Sequence, residues 1–144
     1  NGAKQQLINI LVDYIAPRAQ KANIKILIEP MSYSAGNVIN TILEAHDIVK
    51  RTKNSNVKLM IDLLHMQNNN EKVESILEVL QDVEHIHVSD LERALPSENM
   101  NPFLLKAFKL LKENGYNNTV SYETVSASLK EMTNALNFLK TELH

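Results

Sequence analysis

The sequence has no cysteine among its 144 residues, so it carries no disulfide framework and no thiolate chemistry, a composition compatible with an intracellular location. Long apolar runs are missing too. The stretches from Ile24 to Ile28 and from Val57 to Ile61 are short and each contains a lysine, which excludes a membrane-spanning helix. No segment clusters Lys and Arg, and the net charge is −2 with a pI near 6.2, so the basic footprint of a nucleic-acid binder is absent. The opening stretch NGAKQQLINILVDYIAPRAQKA lacks the basic start and cleavage region of a signal peptide. A soluble, cytoplasmic protein is therefore expected, with no membrane and no nucleic acid as partner.

What is present is enough apolar content, 44%, to bury the core of a single domain over residues 1–144. Its period switches repeatedly. Leu7, Ile8, Leu11, Val12 and Ile15 recur at helical spacing and predict a helix towards Lys21, kinked or broken at Pro17. NIKILIEP reads as a strand stopped by Pro30, and MSYSAGN as a polar loop before a helix over Val38 to Lys53. NVKLMIDLLH is a second strand, followed by the QNNN loop and a helix from Glu71 to about Gln81. HIHVSD is a third, with Ile86 and Val88 on one face and His85, His87 and Ser89 on the other. An irregular ALPSENMNP, a helix from Pro102 to Glu113 ended by Asn114-Gly115, the strand NTVSYE and a helix from Ser126 to Leu143 complete the chain.

Regular alternation of strand and helix requires a parallel sheet, because each helix is the crossover that returns the chain to the same end of the next strand. The class is α/β. In such sheets ligands bind at the carboxyl ends of the strands, in the loops that lead into helices. Those four ends read ILIEP, LMIDLLH, IHVSDLER and VSYE, and each delivers an ionisable residue. Glu29, Asp62, His87 and Glu123 can thus converge as three carboxylates and one imidazole. Mixed oxygen and nitrogen donors suit Mn²⁺, Co²⁺, Zn²⁺ or Mg²⁺ rather than soft-ligand metals.

The ordered motifs Glu29-Pro30, Asp62-x-x-His65, His87-x₅-Arg93-x-x-Pro96 and Gly115-Tyr116-x₃-Val120-Ser121-x-Glu123 resemble the C-terminal half of the xylose isomerase-like TIM barrels. Within that family they most resemble the sugar isomerases and epimerases related to D-tagatose 3-epimerase and hydroxypyruvate isomerase. The resemblance implies four strands of a (β/α)₈ barrel, a C-terminal fragment of the full fold. It also implies a divalent ion, Mn²⁺ foremost, on Glu29, Asp62, His87 and Glu123, with His65 and Arg93 contacting substrate. Glu29 and Glu123 would then be the acid/base pair. The implied reaction isomerises or epimerises a sugar or sugar phosphate through a cis-enediolate, whose charge a divalent ion spreads while a carboxylate takes the proton. An inosose-type dehydratase, an apurinic-site endonuclease-like hydrolase and a non-catalytic fragment stay open as alternatives.

A complete barrel has eight strands and roughly 250 residues. Four strands would leave two open sheet edges and an uncovered apolar interior, so a homodimer or higher oligomer is expected. The remaining polar residues take structural readings. His46 is expected at a surface or boundary, His85 in a packing role, Tyr33 packed in its loop, and Asp90 capping a turn rather than orienting His87. After Glu29 the loop supplies Ser34, Ala35 and Asn37 where the epimerases carry a further acidic residue.

Overall fold

A computed structural model describes residues 2–125 and 127–143. The amino-terminal helical run comprises α1 (Gly2–Ile10), a π-helical turn (Leu11–Ile15) and α2 (Ala16–Ala22). Pro17 lacks an N–H and its ring would collide with the carbonyl four residues earlier. The expected break does not occur, because the π turn widens the ladder there, the Ala16 amide bonding Leu11, and the helix runs on to Asn23 in the left-handed region.

Strand β1 (Ile26–Ile28) leads through a long loop to α3 (Ile42–Thr52). This helix begins four residues after the expected Val38. Thr41 Oγ1 accepts from the Glu44 amide while the Glu44 carboxylate accepts from the Asn40 amide, a reciprocal cap that fixes the start. Strand β2 (Val57–Asp62) is shorter than predicted at its far end. Asp62 Oδ1 accepts from the amides of Leu64 (2.8 Å) and His65 (3.3 Å), so Leu63–Asn68 forms helix α4 instead of extending the strand. The helix expected from Glu71 to Gln81 is a chain of tight turns, Val73–Ser75 and Leu80–Asp82 as 3₁₀ segments around the short α5 (Ile76–Val79).

Strand β3 (Val83–Val88) is followed by the predicted irregular segment and by α6 (Pro102–Glu113), with Asn101 as its amino-terminal cap and Gly115 at φ +66° after its end. Strand β4 (Thr119–Tyr122) precedes α7 (Leu129–Leu143), which Ser128 and Glu131 cap reciprocally. The predicted start of that helix at Ser126, and His144, lie outside the described residues. Among the described residues no helix is long and apolar enough to cross a membrane.

The four strands form one parallel sheet in the order β1-β2-β3-β4. Paired residues share a face. Ile28, Leu59, Ile61, Ile86 and Val88 form the face packed into the buried core with Ile42, Ile48, Phe108 and Leu111. The other face differs from the uncovered apolar interior expected of a half-barrel, for it carries Lys58, Met60, His85, His87, Thr119 and Ser121. His85 is held there by Thr119 Oγ1 (2.6 Å) and Ser121 Oγ (2.7 Å), and its ring meets that of His87 edge-on at 5.0 Å. Where a packing role was expected, His85 is half-buried and hydrogen-bonded within that face.

At the opposite end of the strands, Asp82 ties three elements together. His46 and Lys50 reach it from α3 at 3.0 and 3.3 Å, and Lys58 reaches it from β2 at 3.2 Å, which places His46 at a boundary as its helical position implied. Burial alone would raise the Asp82 carboxyl, but the bonds from His46, Lys58 and Lys50 prevail and lower it from 3.8 to about 2. A depressed carboxylate stabilises the fold above its ordinary value, and that contribution is lost as pH falls towards 2. Asp82→Asn is therefore expected to cost about 2 kcal/mol at neutral pH in urea unfolding, with the difference from wild type vanishing in acid.

Candidate metal centre

The parallel register sets Asp62 beside His87 on adjacent strands, and the residues that follow β1 and β4 bring Glu29 and Glu123 to the same rim. One ligand atom from each of Glu29, Asp62, His87 and Glu123 lies within 4.8 Å of all the others. His87 Nδ1 is 3.2 Å from Glu123 Oε2 and 4.0 Å from Glu29 Oε1. All four residues predicted to converge do so.

Arg93 joins them from the loop after β3, its Nη1 2.5 Å from Glu123 Oε2 and 3.6 Å from Asp62 Oδ2. Glu92 and Arg93 both have positive φ, 57° and 59°, an unfavourable pair for residues with side chains. The surrounding contacts hold them there. The Asp90 carboxylate accepts from the amides of Leu91 and Asn101 and from Asn101 Nδ2, while the Asp90 amide bonds Ala94 O, so Asp90 caps its turn and does not reach His87. The sequence gives no sign of this strain, which arises only when both ends of the loop are fixed.

His65 stands one turn into α4 rather than on a strand, and its ring reaches the same place, with Nε2 3.8 Å from Asp62 Oδ2. Its Nδ1 lies 2.6 Å from Ser32 Oγ. The loop carrying Ser32 is stapled by Asn40 Nδ2 to the carbonyls of Met31 and Gly36, and by Asn69 Nδ2 to those of Met31 and Asn40. Sequence reasoning missed Ser32, Asn40 and Asn69. The only local signal was the asparagine run in QNNN, read as a loop. Tyr33, expected to be packed, is exposed, because the loop is anchored through its backbone amide on Asn69 Oδ1.

The donor chemistry fits a divalent cation. Among the described residues Asp62 Oδ2 is buried without a hydrogen-bond partner, an expensive state for a carboxylate unless a cation satisfies it. Three carboxylates gather there beside the Arg93 guanidinium, so acidic groups outnumber the guanidinium that answers them, a balance that favours a bound cation. At these separations two unit negative charges repel by roughly 3 kcal/mol in an effective dielectric near 20. Burial, followed by Glu123, raises the Asp62 carboxyl above its ordinary value. In Glu123 the opposing effect of burial is outweighed by Asp62, Arg93 and His87, and its carboxyl falls. Burial, partly countered by His87, raises Glu29. The site therefore holds two glutamates with opposite tendencies.

This geometry gives a prediction of two signs. Asp62→Asn keeps an acceptor for the α4 cap but removes one buried negative charge, so the metal-free chain should unfold at higher urea concentration. Its affinity for Mn²⁺ in calorimetry should fall at least about tenfold.

The chain is similar to proteins of known structure and sequence. Over 110 residues the chain is 26% identical to a D-psicose 3-epimerase of Ruminiclostridium cellulolyticum, covering 76% of this chain and 37% of that protein. It superposes on a crystal structure of D-psicose 3-epimerase determined in the presence of D-fructose with a TM-score of 0.87 at 22% identity, covering 99% of this chain and 57% of the other. An AP endonuclease, family 2, from Brucella melitensis has the same fold, with a TM-score of 0.78 at 22% identity over 95% of this chain and 54% of its own. The chain thus spans about half the length of these proteins, or less. The sequence pattern of the xylose isomerase-like TIM barrels matches residues 6–142, and with four parallel β/α units forming part of that barrel, the chain belongs to this family.

Proposed function

We propose that this chain carries the metal-binding and proton-transferring part of a sugar isomerase or epimerase site, contributed by the C-terminal half of a (β/α)₈ barrel. The observation that carries the reading is the convergence of Glu29, Asp62, His87 and Glu123 around the unpartnered Asp62 Oδ2. The similarity to a D-psicose 3-epimerase supports a sugar or sugar phosphate as substrate. These four residues would hold Mn²⁺, with Co²⁺, Mg²⁺ or Zn²⁺ as alternatives of compatible donor preference. A divalent ion bound there would spread the negative charge that develops on neighbouring substrate oxygens as a C–H proton leaves.

The remaining steps belong to the side chains. Glu123, kept ionised beside Arg93, is suited to accept the proton from the carbon next to the carbonyl. Glu29, whose burial favours its protonated form, is suited to return one. His65 Nε2 and the Arg93 guanidinium stand beside these groups and can donate to substrate oxygens. Asp62 and His87 hold metal and take no proton from carbon. Lack of cysteine suits a reducing compartment, and we place the activity in the cytoplasm.

Among the described residues strands β1 and β4 end the sheet with unpaired edges, and Ile10 and Tyr14 in the amino-terminal helical run, like Leu129 and Leu136 on α7, are exposed. A two-fold axis would set β1 of one copy against β4 of another in parallel, so the chain should self-associate. Light scattering at micromolar concentration is expected to give a dimer or larger species, and a monomer would contradict this.

The Mn²⁺-loaded chain should exchange the proton on the carbon beside the carbonyl when ketoses and sugar phosphates are followed by NMR in D₂O. Glu29→Gln and Glu123→Gln should each slow exchange at least about 100-fold while leaving the circular dichroism unchanged. Full activity in either variant rejects its role. A product lighter by one water would instead identify a dehydratase.

A further inference from the structure

Ser32, His65 and Asp62 are all buried, and the three make a chain of contacts whose hydrogen positions follow from what each atom can donate. A neutral imidazole has one N–H and one lone pair. His65 Nδ1 is 2.6 Å from Ser32 Oγ, and among the described residues His65 Nε2 has no hydrogen-bond partner, facing Asp62 Oδ2 at 3.8 Å. Ser32 Oγ also accepts from Asn68 Nδ2 at 3.4 Å.

Two assignments exist. If Nδ1 carried the proton, it would donate to Ser32, the Nε2 lone pair would face the lone pairs of a buried carboxylate, and the serine proton would have no acceptor at either contact. If Nε2 carries it, the Ser32 hydroxyl donates to Nδ1, its oxygen accepts from Asn68, and the Nε2 proton faces Asp62. Only the second arrangement directs every proton towards an acceptor.

We infer that Ser32 is a positioning residue, whose hydroxyl donates to Nδ1 of His65 and fixes the ring as the Nε2–H tautomer with its proton presented to the metal and substrate cluster. The loop supports this role. The Ser32 carbonyl accepts from the amides of Ala35 (2.8 Å) and Gly36 (3.1 Å), and the Asn40 and Asn69 staples hold the backbone on either side, so the hydroxyl is delivered by a fixed turn. At 3.8 Å the Nε2 proton is too far from Asp62 to be consumed by it, leaving a donor for an incoming oxygen. That last role rests on the epimerase reading, whereas the tautomer does not.

The test uses the 144-residue chain labelled with ¹⁵N-histidine, above the pH range in which histidine is charged. Protonated and unprotonated ring nitrogens resonate far apart, and His65 is identified by the signals missing in His65→Gln. Wild type should show the Nε2–H form alone. Ser32→Ala should give a mixture of tautomers, and Ser32→Thr, which keeps the hydroxyl, should restore the single form. In the exchange assay Ser32→Ala should lower kcat about tenfold with KM nearly unchanged, and Ser32→Thr should recover most of it. An Nδ1–H form in wild type, or a Ser32→Ala spectrum with the His65 tautomer unchanged, overturns the inference. Loss of the exchange activity in every protein, wild type included, refutes the epimerase reading while the spectra still decide the tautomer.

Discussion

Asp62 divides its two oxygens between fold and site. Oδ1 accepts from the first amides of α4, so β2 stops and the chain turns into a helix at that residue. Oδ2 is thereby left buried with no hydrogen-bond partner among the described residues. The same turn sets His65 over the cluster, and the pairing of Asp62 with His87 brings the third strand alongside. Moving the strand end by one residue would turn Asp62 to the other face of the sheet and dissolve the cluster, because side chains alternate along a strand.

Around that point the molecule accumulates negative charge and manages it locally. Three carboxylates within a few ångströms repel one another, and a single guanidinium answers them. Arg93 reaches its position only because two consecutive residues adopt left-handed backbone, a strain held by the Asp90 and Asn101 contacts at the base of the loop. The opposite end of the sheet shows the reverse balance, where His46, Lys50 and Lys58 surround one Asp82 and satisfy it. One end is built for stability, and the other keeps an unsatisfied carboxylate oxygen, which is the pattern expected of a site that binds a cation.

The loop between β1 and α3 belongs to the site as much as the strands do. It has no regular structure, yet Asn40 and Asn69 replace the missing ladder by bonding its carbonyls, and Ser32 projects from it onto His65. Polar side chains there do what backbone pairing does elsewhere, holding a functional group in place without closing the rim over it.

The α/β class, the four strand ends and the types of the residues gathered there could be read from the sequence alone, because strand and helix periods are local and parallel connection forces the carboxyl ends onto one rim. Glu29, Asp62, His87 and Glu123 were legible for that reason. Local pattern misjudged the boundaries where a side chain decided them. The Thr41 and Glu44 cap moved the start of α3, and Asp62 converted LLH from strand to helix. Tertiary structure alone brought Ser32 to His65 across 33 residues and placed Asn69 on the preceding loop. Such contacts leave no local signature, since hydrogen bonds between segments distant in sequence depend on how the strands pack.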